Sequence, residues 1–189
     1  MAMLSRSAIE QMGFASLGDD VHLSDKASFY GVGRIVLGNH VRIDDFCVLA
    51  AGQGGIVVGD YVHIAVGSTL IGAAQITLCD FAGLSSRVSI YSSSDDYSGA
   101  TMTNPMVPDQ FKDVTHAEVM LCRHVIVGSG AVVLPGVTLE EGVAVGALSL
   151  VNKRCAAFGI YSGNPARRIS ERRRDLLECE NRLRSSGLL

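Results

Sequence analysis

Apolar residues return along this chain every six positions, a period that neither a strand nor a helix produces. In "GSGAVVLPGVTLEEGVAVGALSLVNK" (128–153), Val133, Leu139, Val145 and Val151 stand six apart, and Val127 precedes them in the same phase. Ala131, Val137, Val143 and Ser149 each follow four residues after a member of that series. A strand repeats every two residues and a helix about every 3.6. A chain that makes a short strand, turns a corner and makes another does repeat every six. The segment therefore predicts a solenoid of stacked coils.

The phase runs far upstream. Leu17, Leu23 and Phe29 form one set of three, followed by Leu37, Ile43 and Leu49, then Val58, Ile64 and Leu70, then Leu78, Leu84 and Ile90. It resumes at Leu121, Val127 and Val133 and ends with Leu139, Val145 and Val151. Each triple predicts one triangular coil of three flat faces. Coils begin at 17, 37, 58, 78, 121 and 139, so the steps are 20, 21, 20, 43 and 18 residues. The long step contains an excursion of 25 residues, "SDDYSGATMTNPMVPDQFKDVTHAE" (94–118). The residue at each repeat start fills the prism, and the one four positions later is small because it packs beside a corner. Strands stack about 4.8 Å apart, so six coils make a rod of about 30 Å.

The expected architecture is all-β: a parallel β-helix of about six coils over 17–165, with a lead-in over 1–16 and a C-terminal helix over 166–189. "MAMLSRSAIEQMGF" predicts a short helix at 5–13 and lacks the apolar run of a signal peptide or membrane span, which predicts a cytoplasmic protein without a membrane partner. "GNPARRISERRRDLLECENRLRS" opens with a turn and becomes helical, with Leu176, Leu177, Glu180 and Leu183 at helical spacing. Repeat arrays need capped ends, and this helix is expected to supply one.

Composition narrows the picture. At 189 residues and 48% hydrophobic, the chain can bury one core as one domain. A net charge of −3 gives no broad basic surface, which argues against nucleic acid as a partner. Five cysteines without Cys-x-x-Cys spacing predict neither a disulfide framework nor a structural metal. Cys47 and Cys155 fall on the small inward position, and Cys79 and Cys122 just after a repeat start.

A filled prism cannot hold a substrate inside, so chemistry is expected on the outer faces, in grooves between parallel rods. That implies an oligomer. The long excursion carries two acids beside each other, Asp95 and Asp96, and His116. It serves either a site or subunit packing, and an arm that reaches a neighbour can do both. His63 points outward in the phase, five residues after Val58, and is a base candidate; a merely solvated histidine is the plainer reading. His22, His40 and His124 read as surface residues.

The hexapeptide period over 17–169 resembles the hexapeptide-repeat acyltransferases, whose parallel β-helices are left-handed. "IDDFCVLAAG", "SSRVSIYSSSDDYSG", "TNPMVPDQFKDV", "EGVAVGALSLV" and "SGNPARRISERRRDLL" resemble, within it, the acetyltransferases of nucleotide-linked 4-amino-4,6-dideoxyglucose in O-antigen and lipopolysaccharide synthesis. The resemblance implies acetyl-CoA as donor, the 4-amino group of a nucleotide-linked amino sugar as acceptor, and a homotrimer with sites at its subunit boundaries. It also implies that the pantetheine arm bonds to backbone near Ser129 and Ala147, and that Lys153, Arg167 and Arg168 meet the phosphates of coenzyme A. In the galactoside, maltose and xenobiotic branch a histidine stands where this chain has Asp95. Two models for the base follow: His63, favoured because imidazole titrates near neutral pH, or the Asp95/Asp96 pair. Sugar O-acetylation is the alternative within the family. A zinc enzyme using His63, His116 and His124, or a scaffold without activity, are the rivals outside it.

Overall fold

A computed structural model of the chain describes residues 2–187, so the outermost ends of the expected terminal segments, at Met1 and Leu188–Leu189, lie outside the described residues. The six-residue phase becomes three parallel sheets wrapped around one prism. On the first face Leu17, Leu37, Val58, Leu78, Leu121 and Leu139 lie in register, each above the last. The second face stacks Leu23, Ile43, Ile64, Leu84, Val127 and Val145. The third stacks Phe29, Leu49, Leu70, Ile90, Val133 and Val151. All are buried except Leu17 and Phe29, which belong to the first coil at the open end. Full burial of each such side chain is worth about 1.5–3 kcal/mol.

Helix α1 (Arg6–Gln11) closes that first coil. Ser5 caps it by accepting the Ala8 N–H at 3.2 Å, and its buried Ile9 joins the core with Leu4, Met12 and Phe14 packed alongside. At the other end a seventh coil begins: Cys155 bridges to Leu139, and Gly159–Ser162 pairs with the strand of Ala144 and Val145. Cys155 thus takes a repeat-start position rather than the small inward one expected from the sequence. Burial pushes its thiol up to about 11, and all five cysteines are unpaired.

The excursion leaves the third face after Ser92. Its root is a two-stranded antiparallel ribbon, Ser93–Ser94 against Thr115–His116. The chain re-enters at Val119–Leu121 in register with Ile76–Leu78, so the detour costs the stack no continuity.

The corner between the first and second faces carries a column of left-handed residues: Asp20, His40, Tyr61, Phe81, His124 and Phe158, with φ between 52° and 60° among them. The rings of His40, Tyr61, Phe81 and His124 stack at 4.4, 5.1 and 5.0 Å. Gly142 interrupts the column, with φ +67°, because a Cβ there would meet the Phe158 ring at 2.5 Å. His40 also bonds Asp20 at 2.8 Å, and His124 bonds Glu180 at 2.6 Å, so neither is a plain surface residue.

The C-terminal helix, α2, spans Asp175–Ser185 and begins later than the sequence suggested. Arg167–Glu171 instead forms an antiparallel strand on Gly159–Ser162. Helix α2 then lies along the ring corner. Its buried Glu180 accepts from Arg123 at 2.7 Å, His124 at 2.6 Å and Arg184 at 2.8 Å, while the Arg184 guanidinium sits 5.9 Å above the Phe81 ring. Arg172 reaches the carbonyls of His124 and Gly142 and ties the approach to the same corner. Burial pushes the Glu180 carboxyl up, but the bonds from His124 and Arg184 and the charge of Arg123 outweigh it, leaving the pKa below 4.5.

Replacing Glu180→Gln should cost about 1.5–3 kcal/mol near neutral pH, since it removes charge-assisted bonds from Arg123 and Arg184 together with the bond to His124. The folded-state pKa is depressed, so this margin is complete above about pH 4.5 and disappears as pH falls through the lowered value. Thermal unfolding of both proteins between neutral and acidic pH measures the difference.

Candidate active site on the outer face

Outward residues of the second face form a vertical column of His22, Arg42, His63, Gly83, Ile126 and Ala144. Past each inward residue the chain turns the next corner through three positions. On successive coils these read Ala65–Val66–Gly67, Ser85–Ser86–Arg87, Gly128–Ser129–Gly130 and Gly146–Ala147–Leu148. The third position is left-handed each time, with φ of 72°, 60°, 69° and 57°. The first position is small, which lets the coils approach: a Cβ on Gly128 would sit 2.6 Å from the Ala147 nitrogen.

Small corner residues leave a groove. Its lower part, about 400 Å³, is lined by His63, Ala65, Gly83, Ser85, Ser86, Ile126 and Ser129. Its upper part, about 480 Å³, is lined by Ser86, Arg87, Ser129, Gly130, Ala147 and Leu148. Shared walls at Ser86 and Ser129 make the two continuous. The flanking amides are used in the stack: Gly128 donates to Val145, Gly130 to Ser86, Gly146 to Tyr161 and Leu148 to Ser129. Among the described residues the Ser129 and Ala147 N–H groups between them donate to no protein acceptor. Two main-chain donors are therefore left for a ligand along the groove.

His63 stands at the lower end, half-exposed. Its Nε2 lies 2.8 Å from Asp44 Oδ2, and Arg42 Nε donates to Asp44 Oδ1 at 2.8 Å. Burial pushes the Asp44 carboxyl up, yet the hydrogen bonds from Arg42 and His63 hold it below its ordinary value. With Nε2 held by Asp44, Nδ1 is the ring nitrogen of His63 left for a ligand.

The other expected site residues lie elsewhere. Asp95 and Asp96 line a separate concavity of about 260 Å³ with Tyr97 and Thr103. Asp96 closes a turn: its carboxylate accepts from the Ser98 N–H at 2.7 Å, the Thr101 N–H at 2.9 Å and the Thr101 hydroxyl at 3.0 Å. These bonds, those from Ser98 foremost, hold its pKa far below the usual carboxylate range. Asp95 is exposed, and among the described residues its carboxylate has no partner. His116 bonds Ser93 Oγ at 2.8 Å, at the root of the excursion. Lys153 is exposed beyond the third face, while Arg167 and Arg168 sit on the strand that extends the second face at its top. Arg168 is ion-paired with Glu171.

Within one chain, then, His63, Ser129 and Ala147 come together, and Asp95, Asp96 and His116 do not join them. The three histidines that a zinc site would recruit are engaged separately, by Asp44, Ser93 and Glu180. Among the described residues no cluster of His, Cys, Asp and Glu is placed to hold a metal. Sequence reasoning missed Arg42, Asp44, Ser85 and Ser86. The signal was available for the serines, which directly follow the repeat start Leu84. A further concavity of about 310 Å³ lies against the ring corner. There Asp60 accepts the Asn39 N–H and Asp80 the Asp60 N–H, bonds that tie coil to coil.

No protein-family model matches the chain. A dTDP-4-amino-4,6-dideoxy-D-glucose acyltransferase of Escherichia coli is 51% identical over 188 residues, covering 100% of this chain and 98% of its own. Among solved structures, AntD, an N-acyltransferase from Bacillus cereus, in complex with dTDP-4-amino-4,6-dideoxyglucose and coenzyme A, is 40% identical. It has a TM-score of 0.94 and 97% coverage of both chains. A maltose O-acetyltransferase from Clostridium difficile 630 shares the fold alone, at 18% identity and a TM-score of 0.53 over 89% of this chain and 75% of that one. The coil register, the outer groove and full-length similarity agree, and the chain belongs to the dTDP-4-amino-4,6-dideoxy-D-glucose acyltransferase family of hexapeptide-repeat proteins.

Proposed function

We propose that the protein transfers an acyl group from acyl-CoA to the 4-amino group of a dTDP-linked 4-amino-4,6-dideoxyhexose. The observation that carries this reading is the groove with its two available main-chain donors, at Ser129 and Ala147. Amide carbonyls of a pantetheine arm suit those donors, and the uncharged walls at Gly130, Ala147 and Leu148 suit its neutral chain. Support comes from AntD, solved with dTDP-sugar and coenzyme A, and from the E. coli relative's name. Acetyl is the group we assign; AntD has also been solved with 3-hydroxybutyryl-CoA, so acyl length is part of the test.

The thioester carbonyl then lies near Ser85, midway along the groove. The sugar amine attacks that carbonyl, the tetrahedral intermediate collapses, and the thiolate of coenzyme A leaves. A base takes the amine proton, which finally resides on the leaving thiol or solvent. The solved AntD forms include variants at a serine and at an aspartate ten positions apart. In this chain Ser85 and Asp95 have that spacing, as do Ser86 and Asp96. Asp96 spends its carboxylate on the loop turn, so the assignment falls on Asp95 as base and Ser85 as the hydroxyl that orients the reacting groups. His116, tied to Ser93, holds the excursion's root instead.

Asp95 and Ser85 line different concavities of one chain, so their meeting needs a second copy whose excursion enters the groove. This supports a homotrimer. Lys153, Arg167 and Arg168 are assigned to the phosphates of coenzyme A. A relative named as a lipopolysaccharide biosynthesis O-acetyl transferase, WbbJ of E. coli K12, is 30% identical over 122 residues, 61% of this chain and 57% of its own. Its name supports a place in lipopolysaccharide synthesis, to which we add O-antigen as the product class and the cytoplasm, where acyl-CoA and nucleotide sugars are available, as the compartment. No helix among the described residues is long and apolar enough to cross a membrane.

Thiol release from acetyl-CoA and 3-hydroxybutyryl-CoA, measured with dTDP-linked 4-amino sugars and their 4-hydroxy counterparts, tests the reading. Turnover is expected with amines only; comparable rates with the hydroxyl sugars would establish O-acylation instead. Asp95→Asn should lower kcat by about 10²–10⁴-fold with coenzyme A affinity kept, whereas Asp96→Asn should chiefly lower stability. Ala147→Trp fills the upper groove from an exposed position. Its melting temperature should stay within a few degrees of wild type while coenzyme A affinity, read by calorimetry, falls tenfold or more (about 1.4 kcal/mol).

A further inference from the structure

Two of the unpaired cysteines, Cys79 and Cys122, stand one above the other at the start of the ring corner. They follow Leu78 and Leu121, which are partners on the first face. Cys79 N–H donates to Leu121 at 2.8 Å, and Cys122 N–H makes the same bond to Leu139 at 2.9 Å. On the three lower coils this position is glycine: Gly18, Gly38 and Gly59. A Cβ there would be aimed at the next coil, and the carbonyl carbon it would meet recedes from 2.4 to 2.7 to 3.1 Å up the stack. Over Gly38 and Gly59 the carboxylates of Asp60 and Asp80 also intrude, at 2.5 and 2.4 Å. Above Cys79 the corresponding residue is Arg123, whose guanidinium is drawn away to Glu141 and Glu180. Room therefore opens where glycine gives way to cysteine, and the Cys79 side chain rises toward Cys122.

The junction these thiols span is unlike the others. Successive coil starts elsewhere lie 18 to 21 residues apart, but Leu78 and Leu121 are 43 apart because the excursion intervenes. Closing a longer loop costs more chain entropy, so chain connectivity helps least at this seam and a cross-link there helps most. We infer that Cys79 and Cys122 form a reversible disulfide that fastens together the coils on either side of the excursion when an oxidant is present. The coil spacing of about 4.8 Å falls within the Cα separation of roughly 4.4–6.8 Å that a disulfide spans. With hydrogen peroxide as oxidant, one thiolate attacks the O–O bond to give a sulfenic acid and hydroxide. The second thiol attacks that sulfur, the S–S bond forms and water leaves. Two thiols and one peroxide thus become one disulfide and two waters. Burial pushes both thiols up, reinforced at Cys79 by the charge of Asp80 and at Cys122 by that of Cys79. The pair is therefore protonated near neutral pH, and its oxidation quickens as pH rises. Cys47 and Cys155 are buried on coils far apart, and Cys179 is exposed on helix α2. The groove opens at a different corner, so the link acts on the persistence of the fold and not on the chemistry.

The test treats the full-length protein with hydrogen peroxide and maps its disulfides by mass spectrometry. Cys179→Ser serves as the background, since it removes the exposed thiol. A single Cys79–Cys122 link should appear in wild type and in this background, faster at alkaline than at neutral pH. Adding Cys79→Ala or Cys122→Ala should abolish it. The melting temperature of oxidised Cys179→Ser should rise by about 4 °C or more and fall back after reduction with dithiothreitol. The alanine variants should show no such rise. The mapping on Cys179→Ser is decisive even where an alanine variant fails to fold. The inference is overturned if Cys79 and Cys122 stay reduced in the folded protein under excess peroxide, or end separately as sulfinic acids. It is equally overturned if either one links to a different cysteine, or if the expected link forms and the melting temperature does not rise.

Discussion

Burial of one apolar side chain per strand on each of three faces keeps the coils in vertical register, and the outer surface inherits that register. Because Leu84 sits above Ile64 and below Val127, the residues on either side of it are carried to fixed heights on the outside. A slip of one residue would turn the inward set outward on that face. The interior therefore tolerates little variation, while the exterior positions are free to carry chemistry. His63, Ser85 and Ser129 share a groove because their inward neighbours share a stack.

Corners divide the labour. At one, left-handed aromatic residues pile ring on ring and receive helix α2 through Glu180 and Arg184, which makes that edge cohesive and closed. At the next, the equivalent positions are Gly67, Arg87, Gly130 and Leu148, and among the described residues no element covers them. The same backbone geometry yields a structural spine where the side chains are flat and large, and an open groove where they are small. Among the described residues the Ser129 and Ala147 N–H groups at the open corner meet no protein acceptor, so what this corner offers depends little on side-chain identity.

Electrostatics follows the same economy. The buried carboxylates Asp44 and Glu180 each join a neighbour on their own element to a partner from another coil, and in each the pull of the partners exceeds the penalty of burial. Glu180 uses its cations to fasten a helix. Asp44 instead holds two groups that remain half-exposed, Arg42 and His63. Asp96 does neither; its bonds stay within the excursion and shape the turn that displays Asp95.

The sequence by itself determined the three faces, the starts of the first six coils, the place of the excursion and the outward direction of His63. All are consequences of a six-residue burial period that is local along the chain. Helix α1, too, was legible, since its cap and its one buried isoleucine lie within a few residues. Contacts between coils were not. Asp44 meets His63 across 19 residues, and Glu180 meets His124 across 56. Such pairings depend on coil lengths, on the excursion's return and on left-handed corners, none of which the apolar period records. The same limit hid the strand Arg167–Glu171, whose basic residues read as the opening of a helix until the free edge at Gly159–Ser162 claimed their hydrogen bonds. Which outward residues become a site was decided only by stacking, because neighbours on the surface are neighbours between coils and not along the chain.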